Sequence, residues 1–239
     1  MPSETLVMIP PMLCDARIFG YQIRMLSMEH AVMFAPTTRG ERMEEVASQI
    51  LSWAPSKFAL AGMGMGGMVA MEIMRRASER VTRIALIATT AQSDTPEVAA
   101  GREPHIIAAR SGRFDDVLQH EVNSTWLGPN CDKVRIIELL KDMGRALGPD
   151  VYVKQARAMQ RRKDQQATLR AIKQQPSMVI CGRFDGQFPL KRQEVMAEML
   201  PYGTLEVIEQ AGYLPTLDAA EPVTDALRRW MQMPLMLRP

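Results

Sequence analysis

Short apolar runs alternate along this chain with longer segments in which apolar residues recur every three or four positions. Runs without polar alternation suit strands buried on both faces, and the longer segments suit amphipathic helices. This pattern predicts strands at 6–9, 31–35, 58–61, 81–88, 178–181 and 205–208. Helices are expected at about 15–26, and at 41–53 with Met43, Val46, Ile50 and Trp53 on one face. Another runs from the glycine-rich stretch 62–67 to about 76, and a last one covers about 222–231. The alternation predicts an α/β fold, a mostly parallel, doubly wound sheet of about six strands. In such sheets ligands bind at the carboxyl ends of the strands.

Between 92 and 175 the strand pattern lapses. Four helical stretches replace it, near 96–110, 114–126, 132–147 and 151–162. An all-helical insertion at 92–175, between the fourth and fifth strands, would cap the sheet's carboxyl edge, leaving 1–91 and 176–239 as the core. The tail after Trp230 is again apolar (Met231, Met233, Leu235, Met236, Leu237). It would pack on the core or, if exposed, favour a homodimer.

Composition narrows the function classes. Hydrophobic residues at 46% and charged residues at 23% describe an ordinary globular protein with a large core. A net charge of +2 points to neither a nucleic-acid nor a membrane partner. The three cysteines, Cys14, Cys131 and Cys181, are widely spaced and form no C-x-x-C pair, and there are only three histidines. That pattern supports no metal site, implies no cofactor, and fits reduced thiols in the cytoplasm. The N-terminus lacks a basic leader, and its apolar run is too short for a signal peptide or membrane span. Twenty methionines are many, and Met fills irregular apolar space, as in an adaptable pocket or a soft core.

The chemistry centres on Gly62-Met63-Gly64-Met65-Gly66-Gly67, where a predicted strand turns into a helix. Such a turn lifts one side chain to the top of the sheet, beside a helix N-terminus, and hydrolases place serine there as G-x-S-x-G. Here all the framing glycines are present and the central residue is Gly64, which has no side chain with which to attack a carbonyl. Two more stretches stand out, Cys181-Gly182-Arg183-Phe184-Asp185 and Gln210-Ala211-Gly212-Tyr213-Leu214-Pro215-Thr216, together with the opening Ile9-Pro10-Pro11-Met12-Leu13-Cys14-Asp15-Ala16-Arg17.

In that order these motifs resemble the α/β-hydrolase superfamily, in particular its small, cap-bearing bacterial esterase-like members, over nearly the whole chain. The resemblance implies an α/β-hydrolase fold with Gly64 at the nucleophile position, Tyr213 at the base position and Asp185 at the retained acid position. It also implies an oxyanion hole built from the N–H groups of Met12 and Met65, with Pro11 where glycine is usual. A triad needs a nucleophile, a base to take its proton and an acid to orient the base. Only the acid remains, so ordinary Ser-His-Asp catalysis is excluded on this reading.

Met12, Met63, Met65 and Met68 cluster by position at the site and are expected to line an apolar ligand pocket, although any one could be core filling. Tyr213 would be a poor base at neutral pH but could donate a hydrogen bond to a ligand or bond Asp185. Cys14, His105 and His120 are read as structural or surface residues, and His30 as solvated. Arg161-Arg162-Lys163-Asp164 reads as a solvated turn, with docking of an anionic substrate as the alternative.

Three functions follow, in order of preference. The first is a non-hydrolytic pseudoenzyme that binds a small apolar or carbonyl-containing molecule. The second is a lyase, isomerase or cyclase using Tyr213, Asp185 and the oxyanion donors. The third is a residual hydrolase of small carboxylic esters, acting through water and the oxyanion hole.

Overall fold

A computed structural model describes residues 4–235. Six strands, β1 (Leu6–Ile9), β2 (Val32–Phe34), β3 (Phe58–Met63), β4 (Val81–Ile87), β5 (Ser177–Gly182) and β6 (Gly203–Ile208), form one sheet in the order β2-β1-β3-β4-β5-β6. Every neighbouring pair is parallel. The central strands β1, β3 and β5 are buried along their whole length, which is why they read as uninterrupted apolar runs.

Helices cover both faces. On one face α2 (Met43–Trp53), α3 (Met65–Ala77) and α10 (Leu190–Glu198) close a core containing Val46, Ile50, Leu60, Val69, Ile73 and Met196. On the other, α1 (Gly20–Leu26) and α12 (Ala220–Gln232) pack Leu26, Leu227 and Trp230 against Leu6, Met8 and Ile180. The helix α3 is apolar nearly all round, as suits a helix enclosed by sheet and neighbours.

Six helices lie between β4 and β5: α4 (Pro96–Gly101), α5 (Glu103–Arg110), α6 (Phe114–Glu121), α7 (Lys133–Leu147), α8 (Pro149–Gln160) and α9 (Gln166–Arg170). The stretch expected as one helix over 96–110 breaks at Arg102, ahead of Pro104, which stands in the first turn of α5 where its missing N–H costs nothing. The stretch expected over 114–126 stops at Glu121 and resumes as a 3-10 turn at Ser124–Trp126. These helices have a small core of their own, in which Ile106, Leu118, Tyr152 and Val153 enclose Leu13 from the β1 loop. The cap is thereby fastened to the loop after β1.

Met231 is buried and Met233 packs on the core, whereas Leu235 is exposed; Met236 and Leu237 lie outside the described residues. Among the described residues no helix is long and apolar enough to cross a membrane.

Candidate active site at the strand–helix elbow

Gly64 is the apex of the turn between β3 and α3, with φ 53° and ψ −119°, a conformation open to glycine and costly for other residues. The turn is pinned at both ends of that residue. Its N–H donates to the Ile87 carbonyl at 3.0 Å, and its carbonyl accepts from the Thr89 hydroxyl at 2.6 Å. Gly66 lets the first turn of α3 press against β1, since a Cβ there would lie 2.1 Å from the Ile9 carbonyl oxygen.

The loop after β1 passes over this elbow. Leu13 is held at φ 58°, its N–H bonded at 2.9 Å to Oε1 of Gln155 on α8. The Gln155 amide in turn donates to the carbonyl and hydroxyl oxygens of Thr37. One buried cap side chain therefore fixes the geometry of the loop that carries Met12. Among the described residues neither the Met12 nor the Met65 N–H has an acceptor, and both residues line the same cavity. The Met65 N–H at the N-terminus of α3 and the Met12 N–H on the β1 loop are thus free to receive a carbonyl or carboxylate oxygen.

Tyr213 stands across the elbow. Its N–H donates to the Trp126 carbonyl at 2.6 Å, and its ring is clasped between Trp126 and Phe188, each 5.8 Å away between centroids. A Cβ built on Gly64 would lie 2.5 Å from the Tyr213 hydroxyl and 2.9 Å from Cβ of Pro11. The hydroxyl thus fills the space that any side chain at position 64 would need. Burial pushes the phenol well above its ordinary range, with the nearby Cys14 and Asp185 adding to the effect. At neutral pH Tyr213 keeps its proton and can only donate it in a hydrogen bond.

Asp185 lies on the loop after β5 and is buried. Its Oδ1 accepts from the N–H groups of Gln187 and Phe188, both at 2.8 Å, while Oδ2 is buried without a partner. Desolvation outweighs those two bonds, and the carboxyl is pushed up to about 6. Of the two roles open to Tyr213, a hydrogen bond to Asp185 is not formed; the Oδ1 of that carboxyl is taken up by its own loop.

A cavity of about 380 Å³ opens beside the elbow, under the cap. Met12, Met65 and Met68 line it, as expected, together with Tyr213 and Phe188. Met63 does not. It is fully buried on the opposite side of β3, in the core with Ala59 and Ala61, where its sulfur accepts from the Thr216 hydroxyl at 3.5 Å. Strand alternation is the reason: Met63 shares the parity of Ala59 and Ala61 and faces away from the site.

Cys14 borders the cavity but is buried, and desolvation pushes its thiol far above the ordinary range, so no thiolate is available there. His105 and His120 do not reach the cavity; they stack on each other, with ring centroids 4.1 Å apart. His30, expected to be solvated, is half-buried, and its Nδ1 has no partner.

Two residues that sequence reasoning passed over shape the site. Gln155 is one. The other is Asp218, in the short helix α11 (Pro215–Asp218), whose Oδ2 accepts from the N–H groups of Gly128 and Gly212, both at 2.8 Å. It ties the Tyr213 loop to the cap, and burial raises its carboxyl to about 6. Sequence separations of 142 and 90 residues hid both contacts.

A parallel sheet with a sharp strand–helix elbow at its carboxyl edge, covered by a helical cap over a cavity, is the architecture of an α/β-hydrolase. The chain belongs to the alpha/beta hydrolase family, whose model matches residues 33–226. It is similar to the pimeloyl-[acyl-carrier protein] methyl ester esterase of Aliivibrio fischeri, 26% identical over 204 residues that cover 79% of this chain and 75% of the relative. The enzyme of the same name from Aromatoleum aromaticum is 28% identical over 211 residues, covering 80% and 82%. Among solved structures, a thermophilic esterase from Thermogutta terrifontis superposes with a TM-score of 0.85 at 24% identity, covering 97% of this chain and 90% of the other. The enol-lactonase of Burkholderia xenovorans LB400 gives 0.85 at 17% identity, covering 98% and 93%. These two curated relatives are thus named as methyl ester esterases, and the solved neighbours share the fold.

Proposed function

We propose that this protein binds a small carbonyl-containing ligand in the cavity beside Gly64 and does not hydrolyse it through an acyl-enzyme. The observation that carries the reading is the Tyr213 hydroxyl, 2.5 Å from where a Cβ at position 64 would stand. The elbow has no nucleophile, and the space for one is filled. No neighbour substitutes: the Cys14 thiol is held protonated by burial, and Tyr213 is too weak an acid to serve as a base. What the site keeps is its recognition chemistry, two free N–H donors with a phenol beside them and an apolar lining of Met12, Met65 and Met68. That the curated relatives are named for a methyl ester supports a carbonyl as the group received.

The test is turnover of p-nitrophenyl acetate and butyrate by the native protein, Gly64→Ser, Tyr213→His and the double variant. The native protein is expected at the buffer rate, and Gly64→Ser alone should gain nothing because Tyr213 blocks its hydroxyl. The double variant should gain turnover. A native rate about a hundredfold above buffer would overturn the reading.

One observation favours a second reading. The Tyr213 hydroxyl has no acceptor among the described residues and borders the cavity, so it is free to polarise a ligand carbonyl in a lyase or isomerase reaction. Tyr213→Phe would then abolish turnover while leaving ligand affinity nearly intact.

A further inference from the structure

Beside the methionines, the cavity is lined by several charged side chains. Arg102, Arg162 and Arg192 line it, against Asp94 and Glu121. Asp94 is bracketed by two of these guanidiniums: Arg162 Nη2 donates to Oδ1 at 2.6 Å, and Arg102 reaches Oδ2 through Nη2 at 3.2 Å. The three side chains are largely buried, Arg162 to all but 6% of its surface and Asp94 to all but 10%. Arg162 also donates to the Gln92 carbonyl, yet its Nε is buried without an acceptor. Glu121 is partly occupied by the Tyr152 hydroxyl, which donates to it at 2.7 Å. Arg192, exposed on α10, pairs with no carboxylate among the described residues.

The basic run at the end of the cap is therefore divided by the fold. Arg161 turns outward to Glu41 and Lys163 to Glu44, as in a solvated turn, while Arg162 alone turns inward to the cavity.

Three guanidiniums against two carboxylates leave these lining residues with one positive charge in excess, and a buried guanidinium with an unbonded N–H is costly until an acceptor arrives. Planar guanidiniums match a carboxylate through paired N–H donors. We propose that this charged lining is an anion subsite that receives a carboxylate group of the ligand, with Arg162 and Arg102 as the inner clamp and Arg192 as the outer cation. The proposal rests on the reading of the cavity as a ligand site. It makes the ligand a small molecule with an apolar body and an anionic end.

The experiment uses the full-length protein and two probes of equal shape, 4-phenylbutyrate and 4-phenylbutanamide, with affinities measured by titration calorimetry at neutral pH. The native protein should bind the acid about tenfold or more tightly than the amide. Arg162→Gln should erase that preference. Arg192→Gln, at an exposed position with no carboxylate partner among the described residues, should reduce acid affinity by about threefold and flatten its salt dependence. Equal affinities for acid and amide in the native protein would overturn the subsite while leaving the ligand-binding reading in place. Retention of the acid preference in Arg162→Gln would overturn it too, provided the variant's melting curve is native-like. Failure of both probes to bind would remove the subsite together with the ligand site. Ester turnover by the native protein would strike only the non-hydrolytic reading.

Discussion

Replacing Asp185 by asparagine should make this protein more stable relative to the native chain at alkaline pH than at acid pH. In the folded chain burial holds the carboxyl at about 6, against 3.8 for an exposed aspartate. Folded protein therefore keeps the proton more tightly than unfolded protein. Between about pH 4 and 6 unfolding releases a proton, so this residue's contribution to stability falls as pH rises and is fully lost above pH 6. A difference of about two units corresponds to about 3 kcal/mol. Asparagine keeps the Oδ1 acceptor for the N–H groups of Gln187 and Phe188 but cannot ionise. Its Nδ2 would inherit the unpartnered place of Oδ2, at a cost of about 1–2 kcal/mol that does not vary with pH. The sum makes Asp185→Asn less stable than native near pH 4 by about 1–2 kcal/mol and more stable near pH 8 by a similar amount. Urea denaturation of both proteins at pH 4.5, 6 and 8 checks this, since Asp218 titrates in both and cancels to first order. Parallel stability profiles across that range would refute the reasoning. A loss at pH 8 larger than at pH 4.5 would show instead that the ionised carboxylate is wanted, as the orienter of a working base would be.

Two further outcomes are expected. Gln155→Leu should cost about 2–4 kcal/mol in urea denaturation, because it leaves the Leu13 N–H and the Thr37 oxygens unpaired; a loss under about 0.5 kcal/mol would mean the β1 loop is held by other contacts. Gly64→Ser should cost roughly 2–6 kcal/mol from positive φ and overpacking together, and Tyr213→His should recover the overpacking part, so the two losses in a thermal double-mutant cycle should not add.

The sheet was legible because its central strands are buried on both faces and read as unbroken apolar runs. The edge was less so: β6 starts at Gly203, and Gly203-Thr204 carry no apolar signal. Pro104 and the Gly148-Pro149 pair marked the true starts of α5 and α8, a local signal that the hydrophobic period alone passed over. At the site, motif order marked Gly64, Asp185 and Tyr213; in the fold Tyr213 lies against Gly64, and Met12 and Met65 line the same cavity. Met63 was misread because nearness along the chain was taken for nearness to the cavity, when strand parity sends it to the other face. Side chains that act across the fold, Gln155 on Leu13, Asp218 on two glycine N–H groups and Arg162 on Asp94, leave no local pattern at all.

Gly64 and Tyr213 are best understood as one feature, because each removes the other's alternatives. A side chain at 64 and tyrosine at 213 exclude one another: the hydroxyl sits 2.5 Å from the Cβ position, and its ring cannot swing aside while Trp126 and Phe188 hold it. Any route that introduces tyrosine at 213 while a side chain stands at 64 passes through an overpacked core, whereas glycine at 64 opens the space first. The same order holds in reverse. Restoring a hydroxyl at 64 produces nothing useful until 213 is reduced, and reducing 213 alone leaves a void beside Cys14 with no nucleophile to serve it. On the function proposed above, the chemistry of the site is recognition, by the N–H groups of Met12 and Met65 and by the guanidiniums of Arg102 and Arg162 that line the same cavity.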